Sequence, residues 1–117
     1  MNKNNLAIAE TYYKALGEKN IEATENYLDI GVQCTGPLLQ VIGKGNVIEA
    51  NKKFISLFKT LEIRSSFASH DQAVIVYDLE CQAPVNVFSA VALLTFKNNL
   101  ISKIELFYDA RPFDIKR

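Results

Sequence analysis

The sequence predicts an α+β fold, with three helices from the N-terminal half packed on one face of a curved, mostly antiparallel sheet. Two observations predict it. The stretch from Ala73 to Asp109 reads as three consecutive strands, Ala73–Gln82, Asn86–Lys97 and Leu100–Asp109. The residues before it carry apolar positions at helical spacing, interrupted by one short hairpin signal. The order is helix, helix, hairpin, helix, then four antiparallel strands. Laying the helical stripes on one face of a bent sheet buries them all with one core.

Leu6, Ala9, Tyr13 and Leu16 recur at helical spacing, with Tyr12 beside the stripe. Asn4 or Asn5 caps the start and Gly17 closes the end. Asn20 caps a second helix over Ile21–Leu28, with Ile21, Thr24 and Leu28 on its buried side. Val32–Thr35 and Leu38–Ile42 read as short strands around Gly36-Pro37. Gly43-Lys-Gly45 breaks the chain, and Asn46 with Glu49 resembles a capping box opening a third helix, Val47–Thr60. Val47, Ala50, Phe54, Leu57 and Phe58 lie on one side of it, while Lys52, Lys53 and Lys59 face away. Glu62–Ser69 is another strand, followed by the turn His70-Asp71-Gln72.

In the first strand of the central stretch, Ile75, Tyr77, Leu79 and Cys81 share a face opposite Asp78 and Glu80. The next holds Phe88, Ala90, Ala92, Leu94 and Phe96 on one face and Val87, Val91 and Leu93 on the other. A strand apolar on both sides is central or lies against a second subunit. Asn98-Asn99 suits a tight primed turn, because Asn tolerates positive φ. The tail, Ala110–Arg117, is expected to pack through Phe113 and Ile115.

The length, 117 residues, suits a single domain spanning 1–117. Thirteen basic and thirteen acidic residues cancel, which removes the electrostatic case for nucleic acid or an anionic membrane surface. No apolar run approaches the ~20 residues of a membrane span. The first residues lead into an amphipathic helix with no signal-peptide core, so a cytoplasmic protein is expected. Cys34 and Cys81 lack metal-type spacing and read as reduced strand residues. No metal or cofactor motif appears, and Gly43-Lys-Gly45 lacks the rest of a phosphate loop.

Lys19-Asn-Ile-Glu-Ala23 follows the first helix, Gly45-x-x-x-Glu49 opens the third, and Ile104-Glu-Leu-Phe-Tyr-Asp109 closes the sheet. In this order the motifs resemble the SnoaL-like and ketosteroid-isomerase-like branch of the nuclear transport factor 2 (NTF2-like) superfamily, over nearly the whole chain. The resemblance implies a cystatin-like α+β cone, with an apolar small molecule in its hollow. It also implies a homodimer through the outer sheet face, where Val87, Val91 and Leu93 would otherwise be an exposed apolar patch.

Ketosteroid isomerases use a tyrosine on the first helix, an aspartate base before a proline in the first hairpin, and a neutral aspartic acid on the penultimate strand. Tyr12 matches the tyrosine, but the base position is Gly36 and the acid position Ala92. Neither can move a proton, so steroid isomerisation by that mechanism is excluded. SnoaL-like cyclases use a C-terminal aspartate as base, which Asp109 resembles. In an apolar cavity its pKa would rise toward a usable value. Alternatively, Asp109 ends the strand and pairs with Arg111; strict alternation turns Tyr108, not Asp109, inward.

The expected catalytic residues are therefore Asp109 and Tyr12, and the expected ligand-binding residues Tyr77, Tyr108, Phe88, Ala92 and Phe54. Tyr12 and Tyr77 would donate hydrogen bonds to a carbonyl or a developing oxyanion. His70 reads as a solvated turn residue, and Asp78 with Glu80 as a polar face. Three functions stay open: an isomerase, cyclase or dehydratase on a carbonyl-type substrate, a non-catalytic ligand-binding module, and a dimeric assembly domain.

Overall fold

In sequence order the chain forms α1 (Lys3–Gly17), α2 (Ile21–Glu25), β1 (Leu28–Gly36), β2 (Leu39–Ile42), α3 (Lys44–Phe54), β3 (Phe58–Ser69), β4 (Gln72–Cys81), β5 (Val87–Lys97) and β6 (Leu100–Phe107). The structure is a computed structural model and describes residues 3–83 and 85–111. The expected packing of Phe113 and Ile115 lies outside the described residues. One six-stranded sheet has the order β2-β1-β6-β5-β4-β3. Neighbouring strands are antiparallel except β1 and β6, which run parallel. The sheet is curved and unclosed, with the helices packed on it. Register shifts in β3, at Phe58/Thr60 and Ile63/Ser65, and between Leu28 and Gln33 in β1 supply bends, because an extra residue in one strand increases its local twist.

Several boundaries differ from the expected ones, each for a local reason. The buried face of α1 holds Ala9, Tyr12, Tyr13 and Leu16, but Asn5 replaces Leu6 in it. Asn5 is fully buried and donates through Nδ2 to the His70 carbonyl at 3.2 Å, so it ties α1 to the β3–β4 turn. Asn20 does cap α2, accepting from the Ala23 amide at 3.1 Å. That helix stops at Glu25, because Leu28 is taken into β1 and the Tyr27 carbonyl accepts from the Ile101 amide. β1 is thus longer than Val32–Thr35.

α3 starts at Lys44, three residues early. Its cap is Gly43 at φ 99°, a conformation glycine adopts without steric cost. Asn46 is not the cap; its Nδ2 donates back to the Ile42 carbonyl at 2.9 Å. The helix ends at Phe54, and Phe58 opens β3 opposite Cys81. Asn98 and Asn99 take φ of 53° and 66°, the left-handed pair of a primed hairpin turn.

The inner sheet face is filled at one end and hollow at the other. Leu28, Ile75, Leu94, Phe96 and Ile101 fill one end and are buried. Toward the other end stand Cys34, Ala90 and Leu106, and that end stays open. On the outer face, β5 pairs Val91 with Val76 and Phe107, and Leu93 with Val74, which in turn faces Phe67. Phe67 is 60 % and Phe107 54 % exposed.

Candidate functional site

At the open end, α1, α3, the β1–β2 hairpin and the inner sheet face enclose a cavity of about 550 Å³. α1 contributes Tyr12, Tyr13 and Leu16. α3 contributes Ala50, Asn51 and Phe54, with Asn46, Glu49 and Lys53 on the same side, and Leu57 follows in the turn after it. The sheet contributes Cys34, Tyr77, Leu79, Ala90, Ile104 and Leu106, and Leu38, Phe88 and Tyr108 complete the wall.

Three tyrosines give this apolar hollow its polar character. Asn51 Nδ2 donates to the Tyr12 hydroxyl at 2.9 Å, with both residues buried. The Tyr13 and Tyr77 hydroxyls bond to one another, and their rings lie 4.9 Å apart. Burial pushes the pKa values of Tyr12, Tyr13 and Tyr77 well above the ordinary phenol value; for Tyr12 the Asn51 bond opposes this only in part. Burial also raises Cys34, to about 11. These groups are therefore neutral near pH 7. Tyr108 accepts from the Leu38 amide and stacks near Phe88 at 5.7 Å, fastening the β1–β2 hairpin to the rim.

Solved structures resemble this architecture closely. An NTF2-like protein of unknown function from Cytophaga hutchinsonii superposes with a TM-score of 0.78 at 18% identity, over 91% of this chain and 90% of its own. The fold is NTF2-like. A candidate ketosteroid isomerase from Kribbella flavida gives 0.79 at 17% identity, over 90% of this chain and 77% of its own. A candidate polyketide cyclase from Sinorhizobium meliloti gives 0.78 at 14% identity, over 86% and 93%. No protein-family model and no curated protein matches the sequence.

Within the NTF2-like cone the expected site residues separate into two groups. Tyr12, Tyr77, Tyr108, Phe88 and Phe54 all border the cavity. Ala92 does not; it is fully buried in cross-strand register with Ile75 and Leu106, among core side chains. Gly36 sits against β6, where an added Cβ would lie 3.1 Å from Leu106 Cβ. A carboxylate-bearing residue there would have to displace Leu106.

Asp109 also departs from the inward placement. β6 ends at Phe107, so Asp109 lies past the sheet, exposed and away from the cavity wall. Arg111 grips it through Nε and Nη2, at 2.7 to 3.1 Å, and its backbone amide adds a bond at 3.0 Å. These bonds hold the carboxyl at about 2, so the apolar environment that would make it a base is not the one it occupies. His70 is an exposed turn residue at φ 57°. Asp78 pairs with Arg64 at 3.4 Å and accepts from Ser89 at 2.6 Å on the outer face. Lys53, expected to face away, borders the cavity mouth.

Asn51 is absent from the expected site. Its signal was its spacing, four residues after Val47 and three before Phe54, which puts an amide on the buried stripe. A buried amide needs a partner, and Tyr12 supplies it.

The Asp109 pKa lies below its ordinary 3.8, so the pair contributes to stability above that pH and loses the contribution as pH falls through about 2. Solvent screening keeps the effect small. A carboxyl NMR titration is expected to find Asp109 near 2, and Arg111→Ala is expected to return it toward 3.8. An Asp109 pKa above the ordinary value in the intact protein would contradict this placement.

Proposed function

We propose that the protein binds an apolar small molecule in the cavity and holds a polar group of that molecule with the tyrosine hydroxyls. The observation that carries this reading is the wall itself: about 550 Å³ bordered by aliphatic and aromatic side chains, with neutral hydroxyls and an amide inside. Apolar surface entering it gains roughly 25 cal/mol per Å² removed from water. A few placed polar groups then set orientation. Binding is favoured over turnover by the distribution of acids. Asp109 is outside, and the carboxylate on the wall, Glu49, is held at 3.0 Å by Lys52 on the exposed side of α3. An isomerase, cyclase or dehydratase on a carbonyl-type substrate would need a base beside Tyr12.

The neutral fluorophore N-phenylnaphthylamine tests this. Its emission is expected to rise saturably with added protein, and alkylation of Cys34 by iodoacetamide is expected to slow as it saturates. An alkylation rate that ignores the bound dye would contradict the assignment of the cavity.

We propose also that the outer sheet face pairs with a second copy. Its support is the continuous patch of Val74, Val76, Val91 and Leu93, bounded by the exposed Phe67 and Phe107. Light scattering at micromolar concentration is expected to give the mass of a dimer, and Phe107→Ser to shift it toward monomer. A monomeric wild-type protein rules this out.

A further inference from the structure

We infer that Asn51 and Tyr12 act together as a donor–acceptor pair that selects ligands whose polar group both donates and accepts, such as a hydroxyl or enol, over ligands that only accept, such as a ketone or ether. This rests on the cavity being a ligand site and names the chemistry it recognises.

The inference follows from counting. A tyrosine hydroxyl carries one proton and lone pairs; an asparagine amide carries one donating and one accepting end. The bond from Asn51 Nδ2 to Tyr12 Oη uses one donor of the first and an acceptor site of the second. The Tyr12 proton, the second Asn51 N–H and Asn51 Oδ1 remain. If the amide is turned over, Tyr12 donates to Oδ1, and Nδ2 with an Oη lone pair remains. Either way at least one donor and at least one acceptor are left, side by side.

Both residues border the cavity. The leftover pair therefore belongs to two side chains that a ligand in the cavity would meet. A ligand hydroxyl satisfies both ends at once. A ketone satisfies the donor and desolvates the acceptor for nothing, a loss of about tenfold in affinity. The charged side chains on the wall, Glu49 and Lys53, are exposed at the mouth, so the inner polar group of the ligand is uncharged.

Calorimetric titration with naphthalene, naphthol and naphthyl methyl ether tests it. Wild type is expected to bind naphthol about tenfold more tightly than the ether. Tyr12→Phe and Asn51→Leu are each expected to cut that preference, read as the naphthol-to-ether affinity ratio within each variant, to about threefold or less, with thermal melts confirming that both variants fold. Equal binding of naphthol and ether by wild type overturns the inference and leaves the ligand cavity standing. So does a preference unchanged in Tyr12→Phe, the milder of the two variants. Failure of all three compounds to bind overturns both readings.

Discussion

The filled core at one end of the inner sheet face is the constraint on which the remaining structure depends. β5 carries Phe88, Ala90, Ala92, Leu94 and Phe96 on that face; Leu94 and Phe96 lie buried in the filled end, while Phe88 and Ala90 border the hollow. Where Leu94 and Phe96 stand, the helices and sheet meet over a filled core. Where Ala90 faces Tyr77 across the strands, the same curvature leaves a hollow. Interiors are packed to near-crystalline density, so a void of this size persists only because the surrounding backbone is held elsewhere. The filled end does that holding, with Ile75, Leu94 and Ile101 at zero exposure.

Curvature and helix placement follow from a few backbone devices. Register shifts in β3 accompany the curvature, and Tyr12 and Tyr13 of α1 border the hollow it leaves. Gly43 turns the chain from β2 into α3, and its amide donates to the Val32 carbonyl at 2.7 Å. That fixes the start of α3, which in turn sets Asn51 opposite Tyr12. At the other end Lys19 donates to the Phe58 carbonyl at 2.7 Å and rests over the Phe58 ring, closing the α1–α2 corner onto β3. Tyr12, Tyr13, Tyr77 and Tyr108 are each fastened by a neighbour before any ligand arrives, which lowers the ordering cost of binding.

The strands were legible because alternation in β4 to β6 is a local signal, and the paired asparagines at 98 and 99 marked their turn. The limits of α2 and α3 were not. Leu28 and Phe58 fit a helical stripe equally well, and only pairing with Ile101 and Cys81 draws them into strands. Tyr77 could be placed on the inner wall from alternation, and Tyr12, beside the helical stripe, from the family resemblance. Asn51 could not be paired with Tyr12, because their contact spans 39 residues and depends on how α3 enters. Asp109 was ambiguous for a related reason: alternation turned it outward, family resemblance turned it inward, and Arg111 two residues on decides the matter through a contact that needs no cavity.

Methyl NMR of the labelled protein titrated with indole, a neutral apolar molecule, tests the central claim most directly. The account predicts shift changes at the methyls of Leu39, Val41, Ala90 and Leu106, which border the hollow, and none at Ile75, Leu94 or Ile101 in the filled end. Changes confined to Val91 and Leu93 on the outer face, or none at all at saturating indole, would contradict it.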